Sequence, residues 1–271
     1  MRHPQGFGEL PRPRKCFGQH FLHDPKVCAR IIAELGAQAA DHFVEIGPGR
    51  GALTIPLLRI LGKLDAIELD RELIPYLQHQ CIDLGELRIY HQDALDFDFT
   101  LLPGRLRLIG NLPYNIATEL LFRILDQIPA TEIQDMHFMV QREVAERITA
   151  LPGNSAYGRL SVMVQYRCQV ERLFTVGAGA FHPPPKVEST LIRLRPYVIR
   201  PVIINDERCF ALLVRQAFSQ RRKTVKNTLR TLLTEGQIRS ADVDPSVRPE
   251  TLTIEQFANL ARLIQLGNLL I

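Results

Sequence analysis

No stretch of the 271-residue sequence is apolar for the length that a membrane span requires. Its start lacks the apolar run of a secretory signal. The five cysteines, Cys16, Cys28, Cys81, Cys168 and Cys209, are scattered and never form a Cys-x-x-Cys pair, against both a zinc site and a disulfide framework. The eight histidines show no metal-ligand spacing backed by a carboxylate, so no metal is expected. No internal repeat recurs at a fixed period. These absences predict a cytoplasmic protein with no membrane contact and no obligate protein partner evident.

Hydrophobic residues make up 46% of the chain, enough for a large domain with a small one beside it. Net charge is only +4, but its distribution is uneven. From position 196 onward there are 11 Lys/Arg against 7 Asp/Glu, so the whole positive excess sits in the C-terminal quarter. A phosphate backbone could be met there. Residues 1–16, broken by Pro4, Pro11 and Pro13, read as a flexible basic arm.

Short β-rich runs at 43–46, 64–69, 87–90, 106–109 and 137–140 alternate with amphipathic stretches at 25–35, 53–61, 72–80, 118–125 and 144–150. That alternation predicts an α/β fold, a mostly parallel Rossmann-like sheet covered on both faces. Two further β-type runs, 160–170 and 189–194, are expected to extend it with an antiparallel strand. After Pro196 the pattern turns helical, at 207–218, 224–234 and 254–266. The expected division is a catalytic domain over 1–200 and a small all-α domain over 201–271.

Gly47-Pro48-Gly49-Arg50-Gly51 follows the first strand, where a tight turn must let a ligand approach the backbone. Glycines at this point also suit a dinucleotide-dependent dehydrogenase. Three acids separate the readings. Glu45, just before the glycines, would repel a pyrophosphate but not a sulfonium. Glu68, 21 positions after Gly47, ends the second strand where a carboxylate can take both ribose hydroxyls. Asp93 ends the third, placed to accept from an adenine amine. Singly, each acid reads as a helix cap or a solvated charge. The ordered set reads as a site for S-adenosylmethionine.

Gly110-Asn111-Leu112-Pro113-Tyr114-Asn115 follows the fourth strand. The Asn111 side-chain carbonyl and the Leu112 main-chain carbonyl could accept from an exocyclic amine and aim its lone pair, while Tyr114 offers a flat face. A plain proline-bearing turn with a buried Tyr is the alternative. In Phe181-His182-Pro183-Pro184-Pro185-Lys186-Val187 the stiff prolines suit Phe181 as the second wall of a base pocket opposite Tyr114. Arg222, Lys226 and Arg230 fall at four-residue spacing on one expected helical face, with Arg221 and Lys223 beside them; Arg12, Arg14 and Lys15 could add a second RNA contact. Tyr157-Gly158-Arg159 reads as a loop reaching over the cleft.

These blocks, with Phe17-Gly18-Gln19-His20-Phe21-Leu22 and His137-Phe138-Met139-Val140-Gln141, resemble the ribosomal RNA adenine dimethyltransferase family across nearly the whole chain. The resemblance implies a class I methyltransferase that transfers two methyl groups to N6 of each of two adjacent adenines near the 3′ end of 16S ribosomal RNA. S-adenosylmethionine would be the donor and the assembling small ribosomal subunit the substrate. It assigns donor contacts to His20, Leu22, Gly47, Glu68, Asp93 and Asn111, and the target base to Asn111, Leu112, Tyr114 and Phe181. The family usually carries Asn where this chain has His20. The competing expectations are an antibiotic-resistance methyltransferase of large-subunit ribosomal RNA and a non-catalytic assembly factor.

Overall fold

The structure is a computed structural model that describes residues 11–14 and 18–264. Lys15, Cys16 and Phe17, most of the basic arm and the end of the last expected helix lie outside the described residues. Two compact units divide the chain: residues 1–145 with 171–196, and residues 146–170 with 197–271.

In the first unit, β2 (His42–Ile46), β3 (Lys63–Glu68), β4 (Glu86–His91), β5 (Arg105–Asn111) and β6 (Glu132–Gln141) are parallel. β9 (Ser189–Pro196) runs antiparallel to β6, and β7 (Cys168–Val176) closes the edge, giving the order β4-β3-β2-β5-β6-β9-β7. Crossover helices are α2 (Thr54–Leu61), α3 (Leu73–Cys81) and α4 (Ala117–Gln127), preceded by α1 (Pro25–Leu35); α5 (Arg142–Thr149) follows β6. β2 and β5 are buried over nearly their whole length because helices cover both faces of the sheet. Asp24 caps α1 by accepting from the Lys26 and Val27 amides, with Pro25 in the first turn and a left-handed Gly36 at the end. After β4 the chain crosses to the far side of β2 to form β5. Such a reversal opens a crevice at the carboxyl ends of the two strands.

β1 (Phe21–Leu22) and β8 (Phe181–His182) form a small separate sheet, Phe21 opposite His182 and Leu22 opposite Phe181. It joins two segments that lie far apart in sequence.

Two expectations about order along the chain are corrected. Residues 160–167 are not a strand but most of α6 (Arg159–Arg167), with Leu160, Val162, Met163, Val164 and Tyr166 all buried. A helix buried on nearly every side shows no amphipathic period, and its valines mimic a strand. Nor does the catalytic domain run unbroken to residue 200. The chain passes into the second unit at 146–170 and back again, and enters it a second time at 197.

The second unit holds α6, α7 (Glu207–Ala217), α8 (Val225–Thr228), α9 (Glu235–Ser240) and α10 (Ile254–Arg262). Tyr166 packs on Phe210, ring centroids 5.0 Å apart, and Arg167 donates to Glu207 at 2.8 Å. The helix expected over 224–234 is a single turn, α8, so Arg222 and Arg230 lie outside it and the basic helical face does not form. α8 stops at Thr228, and turns follow until Thr234 caps the separate helix α9.

Beneath the parallel sheet, Arg107 on β5 donates to Asp135 at 2.9 and 2.8 Å, to Asp41 at 2.7 Å and to the Leu35 carbonyl at 2.8 Å. Arg107→Ala would leave Asp135, itself buried, without its counter-charge. The expected loss is about 3–5 kcal/mol, seen as a lower midpoint in urea unfolding.

Candidate active site

At the carboxyl ends of β2, β3 and β5 lies a cavity of about 290 Å³ whose lining includes His20, Gly47, Glu68, Asp93, Asn111, Leu112 and Tyr114. Residues expected from five separate stretches of sequence therefore meet at one place, the switch point of the sheet.

Each is positioned by its element. Gly47 follows β2 with φ +66, and a Cβ built there meets nothing within 4 Å, so the backbone is open to a ligand. Gly49, also left-handed, has Phe21 only 2.9 Å from where a Cβ would be. Glu68 ends β3, and its carboxylate accepts from the Gly49 amide at 3.2 Å and the Asp70 amide at 2.8 Å, pinning the glycine turn to the next strand. Asp93 follows β4; one oxygen accepts from the Leu95 amide at 2.9 Å. Gly110 sits where a Cβ would come within 2.6 Å of the Ile46 carbonyl, which is why β2 and β5 approach so closely just before Asn111.

Asn111 is the most informative side chain. Its Nδ2 donates to the His20 carbonyl at 2.8 Å, whereas its Oδ1 is buried with no hydrogen-bond partner. Buried amide oxygens are seldom left unpaired, so this one is an acceptor awaiting a donor. Beside it, the Tyr114 hydroxyl is 2.6 Å from Ser189 Oγ, and the Tyr114 ring stacks on His20 at 5.3 Å and 25°. Burial raises the Tyr114 pKa, so the phenol stays neutral. His20 Nδ1 lies 2.7 Å from the Pro183 carbonyl, which ties the proline-rich segment to the site.

Four expectations about site residues need correction. Phe181 is 2% exposed and packs in the apolar core with Leu22, Met139 and Leu191, so it does not face Tyr114 across the cavity. Its β8 pairing turns the ring inward, and Pro183 rather than Phe181 reaches the site. Leu22 is also a core residue; it borders only a recess of about 30 Å³ that shares Gly47, Gly49 and Asn111 with the main cavity. Arg14 is not a free cation for RNA, because it pairs with Glu72 and lies 3.5 Å from Asp70; Arg12 is engaged as well. Tyr157, expected on a loop over the cleft, is instead a buried ring of the second unit.

Sequence reasoning did not single out Gln19, Leu69 and Leu120. Gln19 donates to Asp70 at 3.1 Å and accepts from the Arg14 amide at 2.8 Å, bracing the near wall. Leu69, 41% exposed, and Leu120 give the cavity apolar surface. An exposed leucine between Glu68 and Asp70 was the signal available for the first of these.

Two carboxylates here are buried. Glu45 accepts from Thr54 Oγ1 at 2.6 Å, and desolvation, with the Glu68 charge adding, raises its pKa to about 7. Desolvation likewise raises Glu68 to about 7, against the hydrogen bonds from Asp70 and Gly49. A carboxyl that holds its proton more tightly folded than unfolded makes the fold less stable as pH rises from about 4.5 to about 7. Glu45→Gln keeps an acceptor for Thr54 and removes that penalty. Its thermal midpoint should therefore exceed the parent's at about pH 8, with the gain disappearing near about pH 5.

This fold, with its glycine turn and acid-tipped strands, defines a class I methyltransferase. Residues 11–266 match the model of the ribosomal RNA adenine dimethylase family. The chain is 53% identical over 256 residues to "Ribosomal RNA small subunit methyltransferase A" of Nitrosococcus oceani, covering 93% of this chain and 96% of that protein. With the protein of the same name from Pseudomonas putida it shares 50% over 253 residues, 92% of this chain and 94% of the relative. A dimethyladenosine transferase from Plasmodium falciparum superposes with a TM-score of 0.73 at 26% identity, over 89% of this chain and 96% of that one. The chain belongs to the ribosomal RNA adenine dimethylase family.

Proposed function

We propose that the protein transfers methyl groups from S-adenosylmethionine to N6 of adenine in small-subunit ribosomal RNA. The expected product is N6,N6-dimethyladenosine at two adjacent adenines near the 3′ end of 16S RNA, made in the cytoplasm on an assembling small subunit. The single observation that carries this reading is the buried, unpartnered Oδ1 of Asn111 in the wall of a cavity lined by Glu68 and Asp93. The names of the small-subunit relatives support the choice of RNA.

The residues present fit the donor. Open space over Gly47 admits a ligand against the backbone. Glu68 has lone pairs left for ribose hydroxyls beyond the two amides it accepts, and Asp93 presents an acceptor to an adenine amine. Apolar surface from Ile67, Leu69 and Ala94 suits a flat ring. When bound, S-adenosylmethionine would supply an electrophilic methyl group whose bond to the sulfonium breaks as the C–N bond forms, leaving a neutral thioether.

The chain's own task is to hold and direct the accepting amine. Its lone pair is delocalised into the purine ring, which makes it a weak nucleophile. Asn111 Oδ1 and the Leu112 carbonyl accept its two protons as hydrogen bonds and favour a pyramidal nitrogen whose lone pair faces the methyl group. Tyr114, held by Ser189, supplies a fixed face for the flipped-out base. The proton released as the new C–N bond forms passes to solvent. For the second transfer a monomethylated amine donates one hydrogen bond instead of two, and ring stacking must keep it in place.

The backbone of the RNA is met by Arg221, Arg222, Lys223, Lys226 and Arg230, all exposed in the second unit. They extend beyond one helical face, over the turns on either side of α8.

Incubation with labelled donor and unmethylated small subunits, followed by nucleoside analysis, should yield dimethyladenosine in 16S RNA. Label found only in large-subunit RNA would overturn the assignment. Asn111→Ala should lower methyl transfer by about 100-fold or more, in line with the loss of a preorganised transition-state acceptor, while RNA affinity changes little. Wild-type turnover in that variant would remove Asn111 from the mechanism. Neutralising Arg222 and Lys226 together should reduce the slope of log affinity against log salt by about two. An unchanged slope would exclude both from phosphate contact.

A further inference from the structure

Within the second unit, a cavity of about 310 Å³ is lined by Ser155, Tyr157, Phe218, Arg221, Arg222 and Arg248, among others. We propose that it is a second RNA subsite, which takes one unstacked nucleotide with its phosphate on the arginines and its base against Phe218. The inference rests on the RNA-binding reading above and assigns part of it to a built pocket rather than to an open charged surface.

Three observations carry it. Three guanidinium groups line the cavity against one carboxylate, Glu250, which lies 3.8 Å from Arg248, so the pocket favours an anion. Arg221 is braced across the opening by donating to the Ser155 carbonyl at 3.1 Å, which holds its remaining donors in place.

The second observation is Tyr157. It is 4% exposed, lines the cavity, and its hydroxyl has no hydrogen-bond partner. Burial raises its pKa, so at neutral pH it is a donor. A buried hydroxyl left unpaired is a cost that an acceptor on a ligand removes.

The third is the wall. Phe218 is half-buried, held edge-to-face by Tyr157 at 6.2 Å and packed at a tilt of 41° on Phe257 at 5.6 Å, and it lines the cavity. Ala217 and Pro249 complete an apolar lining. Charge alone would suit any phosphate. An aromatic wall beside it suits a nucleotide whose base has left its stack.

The test uses the full chain, saturated with S-adenosylhomocysteine so that the donor site is filled. Binding of a fluorescent single-stranded RNA of about six nucleotides is read by anisotropy. Tyr157→Phe keeps the ring and removes only the unpaired hydroxyl, so folding is preserved. It should weaken binding about tenfold and leave the salt slope unchanged, because no charge is lost. Arg248→Ala should weaken binding and lower the slope by about one. Wild-type affinity in Tyr157→Phe, whatever happens to its thermal midpoint, overturns the proposal, as does a wild-type protein that ignores the oligomer. Methyl transfer by the unmodified chain to small subunits is measured in parallel. Transfer together with an unaffected Tyr157→Phe sinks the pocket alone. No transfer together with a weakened Tyr157→Phe sinks the methyltransferase reading alone.

Discussion

The site depends on which way one amide faces. Asn111 sits between the His20 carbonyl and the cavity, and a carbonyl can only accept. Its Nδ2 must therefore point at His20, which leaves Oδ1 as the acceptor on the other side, buried and unpaired. A free asparagine would offer donor and acceptor in turn to whatever came near. Here a main-chain group from a distant part of the sequence removes that freedom. The side facing away from His20 therefore offers an acceptor and no donor.

That orientation needs the His20 carbonyl held still. The short pairing of β1 with β8 does this, helped by His20 Nδ1 against the Pro183 carbonyl. The ring then stacks on Tyr114, whose hydroxyl is tied to Ser189 at the start of β9. His20 thus makes contacts with both its main chain and its ring. The proline-rich segment matters for the position of Pro183, while the Phe181 ring fills the core.

Electrostatics in the crevice follow from its burial. Glu45 and Glu68 lie at the ends of central strands with little water around them, and each holds its proton far above the usual carboxylate range. Such groups weaken the fold when ionised. Arg107, by contrast, has two carboxylates and a carbonyl around it and belongs to the scaffold.

Much was legible in the sequence because parallel strands and their crossover helices carry local signals. Runs such as Phe43-Val44-Glu45-Ile46 had to be buried strands, and glycines with acids at strand ends had to converge wherever a doubly wound sheet reverses. What local pattern could not carry was decided by packing between distant segments. The α6 helix is buried on nearly all sides and lost its period; residues 146–170 joined a unit whose other part begins at residue 197; the apparent basic helix over 224–234 closes after the single turn of α8. The sequence by itself determined which segments form the parallel strands and the identity of the acids and of Asn111, because hydrophobic periodicity and turn chemistry act within a few residues. Only tertiary structure decided that Phe181 turns inward and that Asn111 presents its oxygen, because both are set by partners more than sixty residues away.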